Sequence, residues 1–102
     1  MAHTKLTCII KPFRLDAVLA RLESLTDVTE VLVAEVRGYG RQKGHLDLYR
    51  GSEYDLTFLP KICLEVYVSD NAEAVMHEIL QVARTGRIGD GKIFCTTLES
   101  YP

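Results

Sequence analysis

A chain of 102 residues with 47% hydrophobic and 25% charged residues should fold as one domain around a modest core. Its net charge of −2 argues against a generally basic nucleic-acid binder, and its apolar runs are far too short for membrane insertion. No signal peptide is expected, because MAHTKLTCIIKPF has charges on both sides of a very short apolar run, so a cytoplasmic protein is the default.

Residues 6–10 are short and apolar and read as a buried strand, ended by Lys11, Pro12 and Phe13. Leu15, Val18, Leu19 and Leu22 follow at i, i+3, i+4 and i+7, the stripe of an amphipathic helix, with Asp16 near its positive N-terminus. Residues 28–36 are rich in β-branched side chains and read as a second strand. A polar, glycine-punctuated stretch comes next, GRQKGHLDLYRGSEYDLTFLPK at 40–61; so long a segment without periodicity marks function rather than core. Residues 61–68 then alternate cleanly, with Ile62, Leu64, Val66 and Val68 facing one way and Cys63, Glu65 and Tyr67 the other.

Ser69, Asp70 and Asn71 are good helix caps, and Asp70 and Glu73 have capping-box spacing. Val75, Ile79, Val82 and Ala83 give the second helix its buried stripe, and Gly86 is a suitable C-terminal stop. Residues 93–98 read as the fourth strand. The order is βαβ twice over, which predicts an α+β, ferredoxin-like βαββαβ domain spanning 1–102, a four-stranded antiparallel sheet with both helices on one face. Cys63, Glu65 and Tyr67 would line the bare face, which is half apolar, so oligomerisation through it is expected.

Charge is unevenly spread. The windows 37–61 (Arg37, Arg41, Lys43, Arg50, Lys61) and 84–92 (Arg84, Arg87, Lys92) hold eight of the twelve basic residues but only four of the fourteen acids, Asp47, Glu53, Asp55 and Asp90. Joined in space, they would make a local cationic site suited to a compact anion. GRIGDGK at 86–92 fits G-x-x-x-x-G-K, yet Ile93 follows the lysine and a strand follows the glycines, so it is no P-loop. GYGRQKG at 38–44 has the wrong spacing for a dinucleotide fingerprint. Both segments still suit either an anion nest of glycine amides and basic side chains or a pair of tight turns with solvated charges. Cys8, Cys63 and Cys95 stand singly and read as reduced core or sheet residues. His3, His45 and His77 show no metal-ligand spacing, and no nucleophile elbow or paired-carboxylate signature occurs, so no enzyme is expected.

IIKPFRLDAV, EVRGYGRQKGH, YRGSEY, FLPK and TGRIGDGKIF, in that order, resemble the PII signal-transduction (nitrogen regulatory) family across most of positions 5–94. The resemblance implies a homotrimer that binds ATP or ADP between subunits and, with Mg-ATP, often 2-oxoglutarate. It makes 40–60 the family's T-loop, an arm that docks onto an ammonium transporter or a nitrogen-metabolism enzyme, with the middle, 45–59, mobile when unliganded. It implies nucleotide contacts at Gly38, Gly40, Arg41 and Gln42, at Gly89, Asp90, Gly91 and Lys92 of a second phosphate-binding loop over 84–92, and at Glu65 near the ribose and adenine. It implies Gln42 as a Mg²⁺ holder, Lys61 as the partner of a 2-oxoglutarate carboxylate, and Lys43 and Gly44 as backbone donors to it. Tyr54 matches the tyrosine modified by a uridylyltransferase in many members. Peripheral recruitment to a membrane transporter follows from the same resemblance.

Three features depart from the family pattern. Leu32 stands where a threonine often contacts the adenine, and Cys95 replaces an aliphatic residue. No basic residue follows Lys92, where the family carries arginines near the γ-phosphate, so either ADP and AMP bind comparably to ATP or the sequence stops short of the natural end. The alternative expectation is a PII-like paralogue that senses ADP, AMP or a small anion such as bicarbonate, serves a different transporter or pathway, and has lost the 2-oxoglutarate response.

Overall fold

The computed structural model describes residues 2–42, 55–84 and 91–99. β1 (Ala2–Ile10) leads through a 3-10 turn (Pro12–Arg14) into α1 (Leu15–Glu23); β2 (Val28–Gln42), β3 (Asp55–Val68), α2 (Ala72–Ala83) and β4 (Gly91–Glu99) follow. The sheet order is β2-β3-β1-β4 with every neighbouring pair antiparallel. This is the expected ferredoxin-like arrangement.

Alternation on the two central strands explains the core. Leu6, Cys8 and Ile10 of β1 pair with Val66, Leu64 and Ile62 of β3 on one face, and all six are buried, as is Val68. Val18 and Leu22 of α1 and Val75, Ile79 and Ala83 of α2 close over them. Each fully buried aliphatic side chain is worth ~1.5–3 kcal/mol, so the central strands dominate the core.

Local chemistry sets the helix positions. Pro12 fixes φ at the start of the 3-10 turn, and the Arg14 amide closes it onto the Lys11 carbonyl at 3.0 Å. Arg21 of α1 reaches Glu78 at 3.0 Å and Gln81 at 3.3 Å on α2. The capping box expected from Asp70 and Glu73 is not formed. Asn71 is the N-cap, in a left-handed conformation with φ 55°, a region that asparagine tolerates. Its amide donates to Asp70 Oδ1 at 2.8 Å, and its side-chain Nδ2 donates to Asp27 Oδ2 at 3.1 Å. The tie to Asp27 displaced the local motif.

β2 and β3 run further than alternation suggested. β1 supports β3 only as far as Ile10↔Ile62, whereas the β2–β3 ladder continues from Val36↔Lys61 to Gln42↔Asp55. A two-stranded arm therefore extends from the body. Residues 55–59, expected in the mobile middle of the polar stretch, are paired within it. Tyr39 and Phe58 face each other across the arm with centroids 4.5 Å apart, a contact worth ~0.5–1.5 kcal/mol beyond burial. Gly86 lies outside the described residues, and α2 stops at Ala83 with Arg84 extended behind it.

Candidate functional site

The end of the sheet from which the arm leaves gathers basic residues from two segments. Ile9 pairs with both Cys63 and Lys92, Ile10 pairs with Ile62 and Gly91, and Lys61 pairs with Val36 one row further out. Directly paired residues share a face, as do residues two apart on one strand. Lys92, Cys63 and Lys61 therefore all project from the helix-free face. Strand spacing and rise put the Lys61 and Lys92 Cα atoms about 12 Å apart, close enough for both side chains to reach one polyanion. Lys61 sits in the first row that β1 no longer backs, at the junction of body and arm.

The two glycine segments behave differently. Gly91 has φ 135°, and a Cβ there would lie 2.1 Å from the Ile9 carbonyl oxygen. Only glycine lets β4 approach β1 at this point, and Lys92 is aimed by that approach. A Cβ on Gly38 would meet Lys61 Cγ at 3.8 Å and the Leu59 oxygen at 3.9 Å, ordinary contacts. Gly38 and Gly40 are extended in β2, opposite Leu59 and Thr57. Their backbone belongs to a ladder here.

Arg41 and Gln42 pair with Leu56 and Asp55 at the far end of the described arm, about 17 and 20 Å from the Lys61 row along an extended ladder. The structure thus joins Lys61, Gly91 and Lys92 and holds Arg41 and Gln42 away from them. Glu65 lies two residues from Cys63 on the same face, paired with Thr7 and with Leu32. Lys5 Nζ stands 3.7 Å from one of its carboxylate oxygens, and the Tyr67 hydroxyl donates to the other at 3.5 Å. Leu32 and Phe94, 46% and 56% exposed, flank it as apolar surface. Lys43, Gly44, His45, Tyr54, Gly89 and Asp90 lie outside the described residues.

Two cavities border the site. One of about 420 Å³ lies under the base of the arm, between Pro12, Glu35, Arg37, Pro60, Lys61 and Ile62. Another of about 360 Å³ lies behind Gly91, between Ile10, Ile79, Ala83, Arg84, Lys92 and Ile93. Among the described residues no group of His, Cys, Asp and Glu is arranged to hold a metal, and no helix is long and apolar enough to cross a membrane. The three cysteines are free. Burial, helped by nearby Cys63, pushes the Cys8 thiol up to about 12, which makes it an inert core group.

Some contacts were not foreseen from the sequence. The partnership of Lys5 with Glu65 needed the β1–β3 register. The Arg14 guanidinium donates from Nε to the Val82 carbonyl at 2.8 Å, with Nη2 directed at the same oxygen; no local pattern links residues so far apart in the chain.

The sequence profile described as nitrogen regulatory protein P-II matches residues 3–101. Nitrogen regulatory protein P-II of Rhizobium meliloti (strain 1021) is 52% identical over 96 residues, covering 93% of this chain and 85% of that protein. The Azospirillum brasilense protein of the same description is 50% identical over the same shares of each chain. Among solved structures, B. subtilis GlnK superposes with a TM-score of 0.76 at 28% identity, covering 96% of this chain and 86% of that one. Its ATP complex scores 0.76, with 95% and 84% covered at 28% identity. Arabidopsis thaliana PII bound to citrate scores 0.70 at 33% identity, with 92% and 75% covered. With a profile match over nearly its whole length and relatives at half identity, this chain belongs to the P-II nitrogen regulatory protein family.

Proposed function

We propose that the protein is a non-enzymatic regulator that binds ATP or ADP together with 2-oxoglutarate and relays their presence through the arm to a target protein. The observation that carries this reading is the meeting of Lys61, Gly91 and Lys92 at the foot of the arm. A triphosphate and a dicarboxylate are dense anions, and two lysines beside a backbone that only glycine permits offer charge and close approach together. The ATP complex of B. subtilis GlnK and the citrate complex of A. thaliana PII support a nucleotide and a small carboxylate anion as ligand classes.

In this reading Gly38, Gly40, Arg41, Gln42, Glu65, Gly89, Asp90, Gly91 and Lys92 bind nucleotide. Gln42 helps hold Mg²⁺, and Lys43, Gly44 and Lys61 take 2-oxoglutarate. Subunits assemble as a homotrimer over the open sheet face, where Leu32, Val36 and Phe94 are exposed, so that clefts between subunits complete the sites. The arm docks on an ammonium transporter or a nitrogen-metabolism enzyme from the cytoplasm, and a uridylyltransferase modifies Tyr54. Ligand binding shifts the arm between conformations, and target affinity changes by the differential binding energy, ~1–3 kcal/mol in typical coupled systems.

Titration calorimetry with ATP, ADP and AMP, each with and without Mg²⁺ and 2-oxoglutarate, tests the reading. Nucleotide heat that Lys92→Ala abolishes, and 2-oxoglutarate heat on the Mg-ATP complex that Lys61→Ala removes, are expected. No nucleotide heat would overturn it. Nucleotide heat without a 2-oxoglutarate response would instead select a paralogue tuned to nucleotide or to another small anion.

A further inference from the structure

The segment IIKPFR at 9–14 contacts both the end of α2 and the start of β4. On one side, Ile9 and Ile10 pair with Lys92 and Gly91. On the other, Arg14 donates from Nε to the Val82 carbonyl at 2.8 Å, with Nη2 on the same oxygen. Val82 lies in the last turn of α2, whose closing bond runs from the Arg84 amide to the Leu80 carbonyl at 3.2 Å. Packing around that turn is incomplete, because a cavity of about 360 Å³ is lined by Ile79 and Ala83 together with Gly91 and Ile93. Arg84 and Lys92 both border this cavity.

We propose that Arg14 is a positioning residue for the anion site: it clamps the last turn of α2 and so fixes Arg84 across this cavity from the Gly91–Lys92 backbone. The proposal rests on the nucleotide-binding reading of Lys92. Pro12 makes the clamp stiff, because the proline-initiated turn holds the Arg14 backbone while its planar guanidinium bonds a carbonyl that the helix leaves unsatisfied. The natural control is Arg21, which joins α1 to α2 through Glu78 and Gln81, further from the end of α2.

The experiment compares Arg14→Gln, Arg14→Lys and Arg21→Gln in the full chain, by ATP titration and by amide hydrogen exchange of the nucleotide-free protein. Loss of a charge-assisted bond at the anchor should weaken ATP binding about tenfold in Arg14→Gln. Exchange at Ala83 and Arg84 should quicken to a similar degree, while Arg14→Lys, which keeps one donor, recovers part of both. Arg21→Gln should alter exchange around Glu78 and leave ATP affinity within about twofold. Unchanged exchange at Ala83 and Arg84, unchanged ATP affinity, or equal loss of affinity in Arg21→Gln would each overturn the proposal. Absence of ATP binding in the unsubstituted protein would overturn the nucleotide reading instead, and exchange would still decide whether Arg14 clamps α2.

Discussion

Gly91→Ala should be among the most damaging single substitutions in the molecule, and its effect can be worked from geometry. The new Cβ would lie 2.1 Å from the Ile9 oxygen and 3.2 Å from the Ile9 carbonyl carbon. Both are backbone atoms of a central strand and cannot rotate aside. The φ of 135° is itself a conformation L residues resist, at ~1–3 kcal/mol. Relief requires β4 to part from β1 near Ile10↔Gly91 and Ile9↔Lys92, with the loss of ladder hydrogen bonds worth ~0.5–1.5 kcal/mol each. The total, ~2–5 kcal/mol, is a large fraction of the ~5–15 kcal/mol that holds a domain together. Thermal unfolding followed by circular dichroism at fixed protein concentration should drop by at least about 10 °C. Gly38→Ala is the matched control: its Cβ meets only ordinary contacts at 3.8 and 3.9 Å, so stability should hold or rise by ~0.4–1 kcal/mol through reduced freedom of the unfolded chain. A Gly91→Ala protein melting within about 3 °C of the unsubstituted one, or a Gly38→Ala protein that falls as far, would refute the reasoning.

A double-mutant cycle on Tyr39 and Phe58, read by amide exchange at Gly38, should return a coupling of ~0.5–1.5 kcal/mol, and zero coupling would deny the pair any part in holding the arm. Cys8 keeps its proton in the folded state because burial raises its pKa from 9.0 to about 12. The stability it contributes is therefore complete below pH 9 and declines as pH rises towards 12. Urea unfolding of Cys8→Ala should accordingly show a flatter alkaline decline than the parent, and a thiol reagent at neutral pH should label exposed Cys95 well before Cys8. Glu65→Gln removes an ion pair whose side chains are 26% and 36% exposed, so urea stability should fall by only ~0.2–1 kcal/mol and the difference should fade in high salt. A larger, salt-insensitive loss would contradict that view.

The body of the fold was legible because its signals are local and strong. Period-two alternation in 61–68 named the buried side chains of β3, and the helix stripes named Val18, Leu22, Val75 and Ile79. Where the outcome depended on partners distant in sequence, local reading fell short. Gly38, Gly40 and Pro60 interrupt any strand pattern, so β2 and β3 looked shorter than they are; pairing with each other, reinforced by Tyr39 against Phe58, carries them on. Asn71, tied to Asp27, took the N-cap position that the capping box expected of Asp70. The site was legible as residue types and motifs, since Lys61, Gly91 and Lys92 were singled out by charge, spacing and resemblance. Their common face depends on register, and the distance of Arg41 and Gln42 from them depends on how far the ladder runs.

That distance bears on how such an arm could switch. The candidate contacts of Arg41, Gln42 and Lys61 cannot all close on one ligand of a few ångströms while β2 and β3 stay paired to Gln42↔Asp55, for the extended ladder keeps them about 17–20 Å apart. On the proposed reading, the paired arm and the fully liganded site are thus alternatives, or the missing contacts come from a neighbouring subunit. A ladder of two strands with no third beside it is marginally stable in water, so a ligand gaining only a few kcal/mol by recruiting Gln42 can compete with it. Lys61 occupies the row where support from β1 ends, and a ligand held there acts at the point where least structure must be undone. The body is not similarly at risk, because Leu6, Leu64 and Ile79 are wholly buried behind that row. Binding energy applied at this junction is therefore directed into the arm.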